Sequence, residues 1–246
     1  MVLVMEPARD RLLIVKVGGS RPAMRAARGD YEDWFRAGLG LSPERAPALD
    51  VRDGTALPAP AGWGGVLVTG SAAMVTDRAE WSVRTAAWLP EVLRADVPLL
   101  GICYGHQLLA DAMGGLAGDN PRGRQLGTVA VRRLPGEDPL LDVVPRTFRV
   151  QATHSQSVLR LPEGAVRLAE TDLDPNHAYR LGERAWGLQF HPEMDADILK
   201  RLVAQWDAPL RAEGRAPEAI VAGLEDTAHG TTILRRFVEL AGLGGR

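Results

Sequence analysis

The chain carries a single cysteine, Cys103, set within Gly101-Ile102-Cys103-Tyr104-Gly105-His106-Gln107. An apolar run, Val97-Pro98-Leu99-Leu100, leads into it and helix-forming residues 108–113 follow. A buried strand that breaks at a glycine, presents one residue on a tight turn and then starts a helix is a nucleophile elbow, and crowding at that turn explains the flanking glycines. The thiol would sit near a helix N-terminus, whose partial positive charge favours a thiolate. A lone free cysteine also reads as a small buried hydrophobe. A second motif far downstream weighs against that reading. Gly187-Leu188-Gln189-Phe190-His191-Pro192-Glu193 ends another short strand pattern with an imidazole and a carboxylate two residues apart. That spacing lets Glu193 accept a hydrogen bond from one ring nitrogen of His191 while the other faces the thiol. Nucleophile, base and orienter for covalent catalysis are then all present.

The remaining histidines carry other readings. His106 lies three residues after Cys103, but on a helix it points away from a thiol held on the preceding elbow, so core hydrogen bonding is its expected role. His154 is divided between shaping a pocket and supporting a loop. His177 and His229 occur in polar or loop-like surroundings and receive no function. A metal site built from Cys103, His191 and Glu193 lacks the compact ligand spacing of common zinc sites, so neither metal nor cofactor is expected. Arginines 122, 124, 132 and 133 form a local basic run, read as a solvated face, with an acidic cosubstrate as the alternative.

These residues need a scaffold, and the pattern around them supplies one. Short apolar runs at 12–17, 66–69 and 97–102 alternate with helical patterns at 24–39 and 78–94. This order implies an α/β fold with a mostly parallel central sheet flanked by helices and active residues at the carboxyl ends of strands. Later strands are expected at 128–132, 147–151 and 185–190, some of them antiparallel. Proline-rich segments around Pro43, Pro47, Pro58 and Pro60 read as partly loop. Beyond the second motif, Ile198, Leu199, Leu202, Val203 and Trp206 fall at amphipathic spacing, and residues 219–224 and 233–240 add two further helices. The expected organisation is a catalytic domain over 1–206 and a C-terminal helical extension over 207–246 packed on it, read against a partner-docking or lid element. The glycine-rich end, 241–246, is expected to fray.

Length and charge limit the classes of function. At 246 residues the chain can bury one sizeable core. Lys and Arg number 29 against 31 for Asp and Glu, so no basic excess argues for nucleic acid or an anionic membrane as partner. One cysteine excludes an intramolecular disulfide framework and fits a reducing compartment. Met1-Val2-Leu3-Val4-Met5-Glu6-Pro7 lacks the features of a secretory signal, and no apolar run reaches membrane-helix length. A cytoplasmic protein is expected.

The two motifs, in this order and a domain apart, resemble those of the class I (triad) glutamine amidotransferases. The resemblance covers residues 12–202 and implies that family's flavodoxin-like fold. A third stretch, Val68-Thr69-Gly70-Ser71, follows an apolar strand where the family places its oxyanion loop. Many relatives that make nucleotides carry Gly-Gly-Pro there. This chain, with Thr-Gly-Ser, is more similar to stand-alone members and otherwise resembles the amidotransferase domain of GMP synthase.

The resemblance implies hydrolysis of the glutamine side-chain amide. Cys103 would attack, His191 would carry protons and Glu193 would hold the imidazole, passing through a γ-glutamyl thioester. Backbone amides of Gly70 or Ser71 and of Tyr104 would bind the oxyanion, so replacing the Ser71 side chain should change little. Gln107 resembles the residue that holds the substrate's amino-acid end, and Ser155 and Gln156 fall where another glutamine-binding stretch often lies. Ammonia would pass to a separate synthetase, because the chain shows no Walker-type nucleotide loop. Two alternatives remain at this point: a γ-glutamyl peptidase using the same triad, and a catalytically silent regulatory or binding module.

Overall fold

The computed structural model describes residues 8–244. The first strand, β1 (Leu12–Lys16), is buried along its whole length, as a central strand covered on both faces must be. Proline opens α1 (Pro22–Arg28), where its missing N–H costs nothing. Asp30 then caps α2 (Tyr31–Leu39) in a reciprocal capping box with Asp33, and Gly40 ends it in the left-handed region at φ 70°. The single helix expected over 24–39 is therefore two. Gly29, at φ 79°, turns the chain between them and Asp30 starts the second.

The proline-rich stretch holds a short strand, β2 (Ala48–Asp50), before β3 (Gly65–Val68). Then come α3 (Glu80–Arg94), β4 (Leu99–Ile102) and α4 (Tyr104–Ala112). A run of strands follows: β5 (Leu116–Asp119), β6 (Gln125–Arg133), β7 (Thr147–His154), β8 (Gln156–Arg160), β9 (Ala165–Glu170), β10 (Ala178–Leu181) and β11 (Ala185–Leu188). Four helices close the chain: α5 (Ala196–Gln205), α6 (Asp207–Ala212), α7 (Pro217–Ala222) and α8 (His229–Leu240).

The main sheet has the order β2-β1-β3-β4-β11-β10-β9-β6-β7, and β5 and β8 form a separate ribbon. From β2 to β11 the strands run parallel. From β11 outward they pair antiparallel through β10, β9, β6 and β7. The expected α/β architecture is present, with a sheet that is parallel in the half holding β4 and β11 and antiparallel beyond it.

Alternate residues of the parallel strands feed two cores. Leu12, Ile14, Leu67, Leu100 and Ile102 face one side, with Phe35 of α2 and Ile233, Leu234 and Phe237 of α8. Leu13, Val15, Val66, Val68 and Leu99 face the other, with Leu89 and Val92 of α3 and Leu108 and Leu109 of α4. A third cluster joins Met24, Trp34 and Leu126 to the inner stripe of α5.

Thus α8, late in sequence, covers one face of the central sheet. Residues 241–244 do not fray: Leu243 is buried and its carbonyl accepts from Arg45 Nη2 at 2.9 Å. Residues 245–246 and the N-terminal stretch 1–7, with its signal reading, lie outside the described residues. Among the described residues no helix is long and apolar enough to cross a membrane.

Candidate active site

Cys103 stands between β4 and α4 at φ 49°, a left-handed conformation that a residue with a Cβ adopts only when its surroundings enforce it. Two glycines allow that turn. A Cβ on Gly101 would lie 2.5 Å from the Gly105 carbonyl oxygen, and one on Gly105 would lie 2.5 Å from the Val68 carbonyl oxygen at the end of β3. Helix α4 can therefore start directly against β3 and β4 only if both positions lack side chains. The thiol is buried, with the Thr153 carbonyl 3.8 Å from Sγ.

Neighbouring strands close the sequence gap between the two motifs. In parallel register Ile102 lies opposite Leu188, and Cys103 N donates to the Leu188 carbonyl at 2.8 Å. Three residues further on, His191 N donates to Gln151 O at 2.8 Å, fixing the loop after β11 onto β7. Its Nδ1 lies 2.7 Å from Glu193 Oε1. The carboxylate can only accept there, so Nδ1 carries hydrogen and Nε2 is left for Cys103. Burial disfavours a charge on this ring, but Glu193 and Cys103 outweigh it and push His191 up to about 10.

Gly70 lies against both groups: a Cβ there would be 2.9 Å from His191 Cε1 and 3.6 Å from Cys103 Cβ. Gly105 N donates to Thr69 O at 3.2 Å, tying this loop to the start of α4. Among the described residues, Ser71 N and Tyr104 N take no protein acceptor and remain available beside the thiol. The Ser71 hydroxyl instead accepts from Ala73 N at 3.2 Å.

The residues expected to hold substrate line the same cleft as Cys103, and the structure shows what each can offer. Gln107 spends its Nε2 on Gln156 O at 2.7 Å and Gln189 Oε1 at 3.0 Å, which leaves Oε1 to accept. Gln156 turns its own amide to Thr76 Oγ1 at 2.7 Å and Asp119 Oδ1 at 3.1 Å. Its side chain therefore anchors the loop. Ser155 points its hydroxyl at Met74 Sδ, and its carbonyl accepts from Asn120 N.

The other histidines divide by burial. His106 is fully buried against Tyr179, at 4.8 Å between ring centroids, and burial lowers it to about 4. A Cβ on Gly187 would lie 2.7 Å from its Nδ1, so the first glycine of the histidine motif makes room for this ring. His154 both lines the cleft and supports a loop, with Nδ1 2.9 Å from Gln156 O and Nε2 3.1 Å from Gln125 Oε1. Burial lowers it to about 3.

His177 departs from its loop-like reading. It is fully buried, 3.6 Å from Asp174, and stacks on Phe190. Its segment is a buried crossing from β9 to β10, hidden in sequence by polar neighbours. His154, Asp174 and His177 place potential ligand atoms within 4.8 Å of one another, but both ring nitrogens of His154 are already engaged. His229 is hydrogen-bonded to Arg149 O.

Three residues near the thiol were not among the site residues expected from the sequence. Tyr31 packs its ring edge against Gly18, and burial together with the charges of Cys103 and Glu193 raises its phenol, so it stays protonated. Arg124 leaves the solvated basic run and lines the cleft, as does Trp206. Arg132 and Arg133 pair with acids of neighbouring segments, Arg132 with Glu170 and Asp172 and Arg133 with Asp142.

Comparison with known proteins gives this geometry a family. The segment at 38% identity to the glutamine-hydrolysing GMP synthase of Aeropyrum pernix is 157 residues long, 63% of this chain and 29% of that protein. One subunit of the glutamine-hydrolysing GMP synthase of Archaeoglobus fulgidus is 42% identical over 101 residues, 40% of this chain and 54% of that protein. The matched stretch is thus little more than half of the one relative and under a third of the other. A glutamine amidotransferase of Thermotoga maritima shares the fold at a TM-score of 0.75 and 22% identity, covering 96% of this chain and 99% of that one. The family model described as Glutamine amidotransferase class-I matches residues 61–203, a span that holds Gly70, Cys103, His191 and Glu193. A match over more than half of the chain makes this protein a member of the class-I glutamine amidotransferase family.

Proposed function

We propose that the chain hydrolyses the side-chain amide of glutamine through a γ-glutamyl thioester on Cys103. The observation that carries this reading is a thiol on a strained elbow beside an imidazole that is itself bonded to a buried carboxylate at 2.7 Å. Cys103 attacks the amide carbon as the thiolate, its proton having passed to His191, and the oxygen that gains charge is held by the backbone N–H groups of Ser71 and Tyr104. Held above neutrality by Glu193 and Cys103, His191 enters as imidazolium. It gives its proton to the departing nitrogen as the carbon–nitrogen bond breaks, releasing ammonia. Water then attacks the thioester, His191 takes a proton from it, and the carbon–sulfur bond breaks to yield glutamate. None of these steps calls for a metal or a cofactor.

Ammonia released here is used by a separate synthetase acting as acceptor. Support comes from the relatives named as one subunit of a GMP synthase, while the Thr-Gly-Ser oxyanion loop leaves the acceptor's product unassigned. The test is release of glutamate and ammonia from glutamine by the purified chain, with and without candidate synthetases, run beside γ-glutamyl peptides. Turnover of glutamine that vanishes in Cys103→Ala is the expected result. Faster release from γ-glutamyl peptides replaces the reading with a peptidase. No turnover of either, together with failure of a thiol-directed glutamine analogue to label Cys103, replaces it with a binding module.

A further inference from the structure

Arg124 immediately precedes β6, one step from the pair Gln125↔His154, while the carbonyl of Thr153 touches the nucleophile's sulfur. The short backbone path from Thr153 to Arg124 sets Arg124 in the lining of the cleft that holds Cys103. Its Nε and Nη2 donate to the two carboxylate oxygens of Glu213 at 3.1 and 3.0 Å, and its Cζ lies 5.6 Å from the ring centroid of Trp206. Among the described residues Nη1 makes no protein hydrogen bond. Trp206 sits at the junction of α5 and α6, and Glu213 just beyond α6. Both lie past residue 203, where the family match ends, so this rim is built by the chain's own tail.

A planar guanidinium with one edge occupied, one face on an aromatic ring and a remaining N–H at a cleft is a carboxylate-reading group. Glutamine is linear: with its amide carbon at Cys103 on the cleft floor, its α-carboxylate extends away from the thiol toward the rim. We propose that Arg124 binds the substrate's α-carboxylate, and that Glu213 is its resting partner, which a bound substrate must share or displace. Arg124 thereby selects γ-glutamyl compounds that carry a free α-carboxylate, and the α5–α6 corner is coupled to occupancy of the cleft. This inference rests on the glutaminase reading above, and its test needs no turnover.

The experiment is calorimetric binding to the Cys103→Ala chain of glutamine and of glutaminamide, whose α-carboxylate is a neutral amide. The unmodified rim is expected to favour glutamine. Adding Arg124→Gln should weaken glutamine about ten-fold or more, the scale of a lost charged hydrogen bond, and leave glutaminamide unchanged. Arg124→Lys, which keeps the charge without the fork, should recover part of the preference and serves if the Gln variant misfolds. Glu213→Gln removes the rival carboxylate and should tighten glutamine several-fold with no effect on glutaminamide.

In the catalytically intact chain, Arg124→Gln should raise KM for glutamine with kcat little changed. Equal affinity of the unmodified rim for the two ligands, or a preference for glutamine that survives Arg124→Gln, overturns the proposal. So does absence of measurable binding of either ligand. A chain that binds glutamine through Arg124 but does not turn it over sinks the proposed reaction and leaves the subsite standing.

Discussion

At the site two buried imidazoles are held in different charge states by what surrounds them. His191 faces Glu193 and Cys103 and is held protonated, whereas His106 lies among Tyr179, Gly187 and the floor of α4 and is held neutral. Replacing Cys103 by Ala should abolish turnover, and His191→Ala should lower kcat by about 10²–10⁴-fold, the usual range for a lost acid–base group. His106→Ala should keep the chemistry in whatever fraction folds, and steady-state kinetics on protein of verified fold checks all three. In the proposed mechanism amide cleavage uses the protonated His191, so its rate should fall as pH rises toward about 10. A pH–rate profile flat through that region would contradict the imidazolium assignment. The elbow cysteine and the His191–Glu193 pair proposed for catalysis were legible from type and order alone. Arg124 entered only as one of four arginines whose alternative reading was an acidic cosubstrate, because its setting at the cleft depends on Trp206 and Glu213, which lie more than eighty residues away.

The elbow and the capped helix beside it show what single elements contribute. A Cβ on Gly105 would sit 2.5 Å from Val68 O and 2.9 Å from Val68 Cβ, both in a strand that cannot retreat. Gly105→Ala should therefore cost about 1–3 kcal/mol in chemical denaturation and lower kcat by displacing Tyr104 N from its proposed oxyanion-binding position. Asp30 joins α2 to the sheet: it caps the helix, accepts from Ser20 N at 2.6 Å and pairs with buried Lys16 at 2.7 Å. Burial opposes its charge, yet Lys16 and the backbone donors bring it down to about 2. Asp30→Ala leaves Lys16 with Glu32 as its remaining acid partner, and a loss of about 1–3 kcal/mol, from the lost helix cap and buried acceptor, is expected in urea unfolding. The apolar runs announced β1, β3 and β4. By contrast β5, β8 and β9 were not announced, because short strands with partly exposed faces show neither a continuous apolar run nor a long alternation, and β10 is four residues long with a charged Arg180 inside it.

For the molecule as a whole, two consequences follow from what is buried where. Phe237 of α8 packs edge-on to Trp186 of β11, with ring centroids 6.2 Å apart. Phe237→Ala should cost about 3–5 kcal/mol, measured by thermal or chemical unfolding. A value near zero would mean that α8 is a detachable appendage. Acid should destabilise the fold well before its carboxylates titrate. His106 and His154 have folded values near 4 and 3, below the unfolded value of 6.5, so the unfolded chain takes up protons first. Each should then contribute a progressive loss of stability as pH falls below 6.5, ending near pH 4 for His106 and near pH 3 for His154. His191 has the opposite sign: its contribution is complete below 6.5 and is lost as pH rises through its folded value. Urea midpoints across pH 3–10 check both limbs.

The sequence by itself determined the parallel half of the sheet and singled out Cys103, His191 and Glu193 as the side chains proposed for catalysis. Buried strands must be written in apolar residues, and an elbow between close-packed backbones must be flanked by glycine. Tertiary structure decided which polar groups are spent and which are free. Gln107 spends its amide on Gln156 O and Gln189, Gln156 spends its own on Thr76 and Asp119, His177 is core, and Arg124 is carried to the cleft by a strand pairing with β7 and held there by the tail. Hydrogen-bond partners and burial are properties of approach between distant segments, and no local spacing of residue types encodes them.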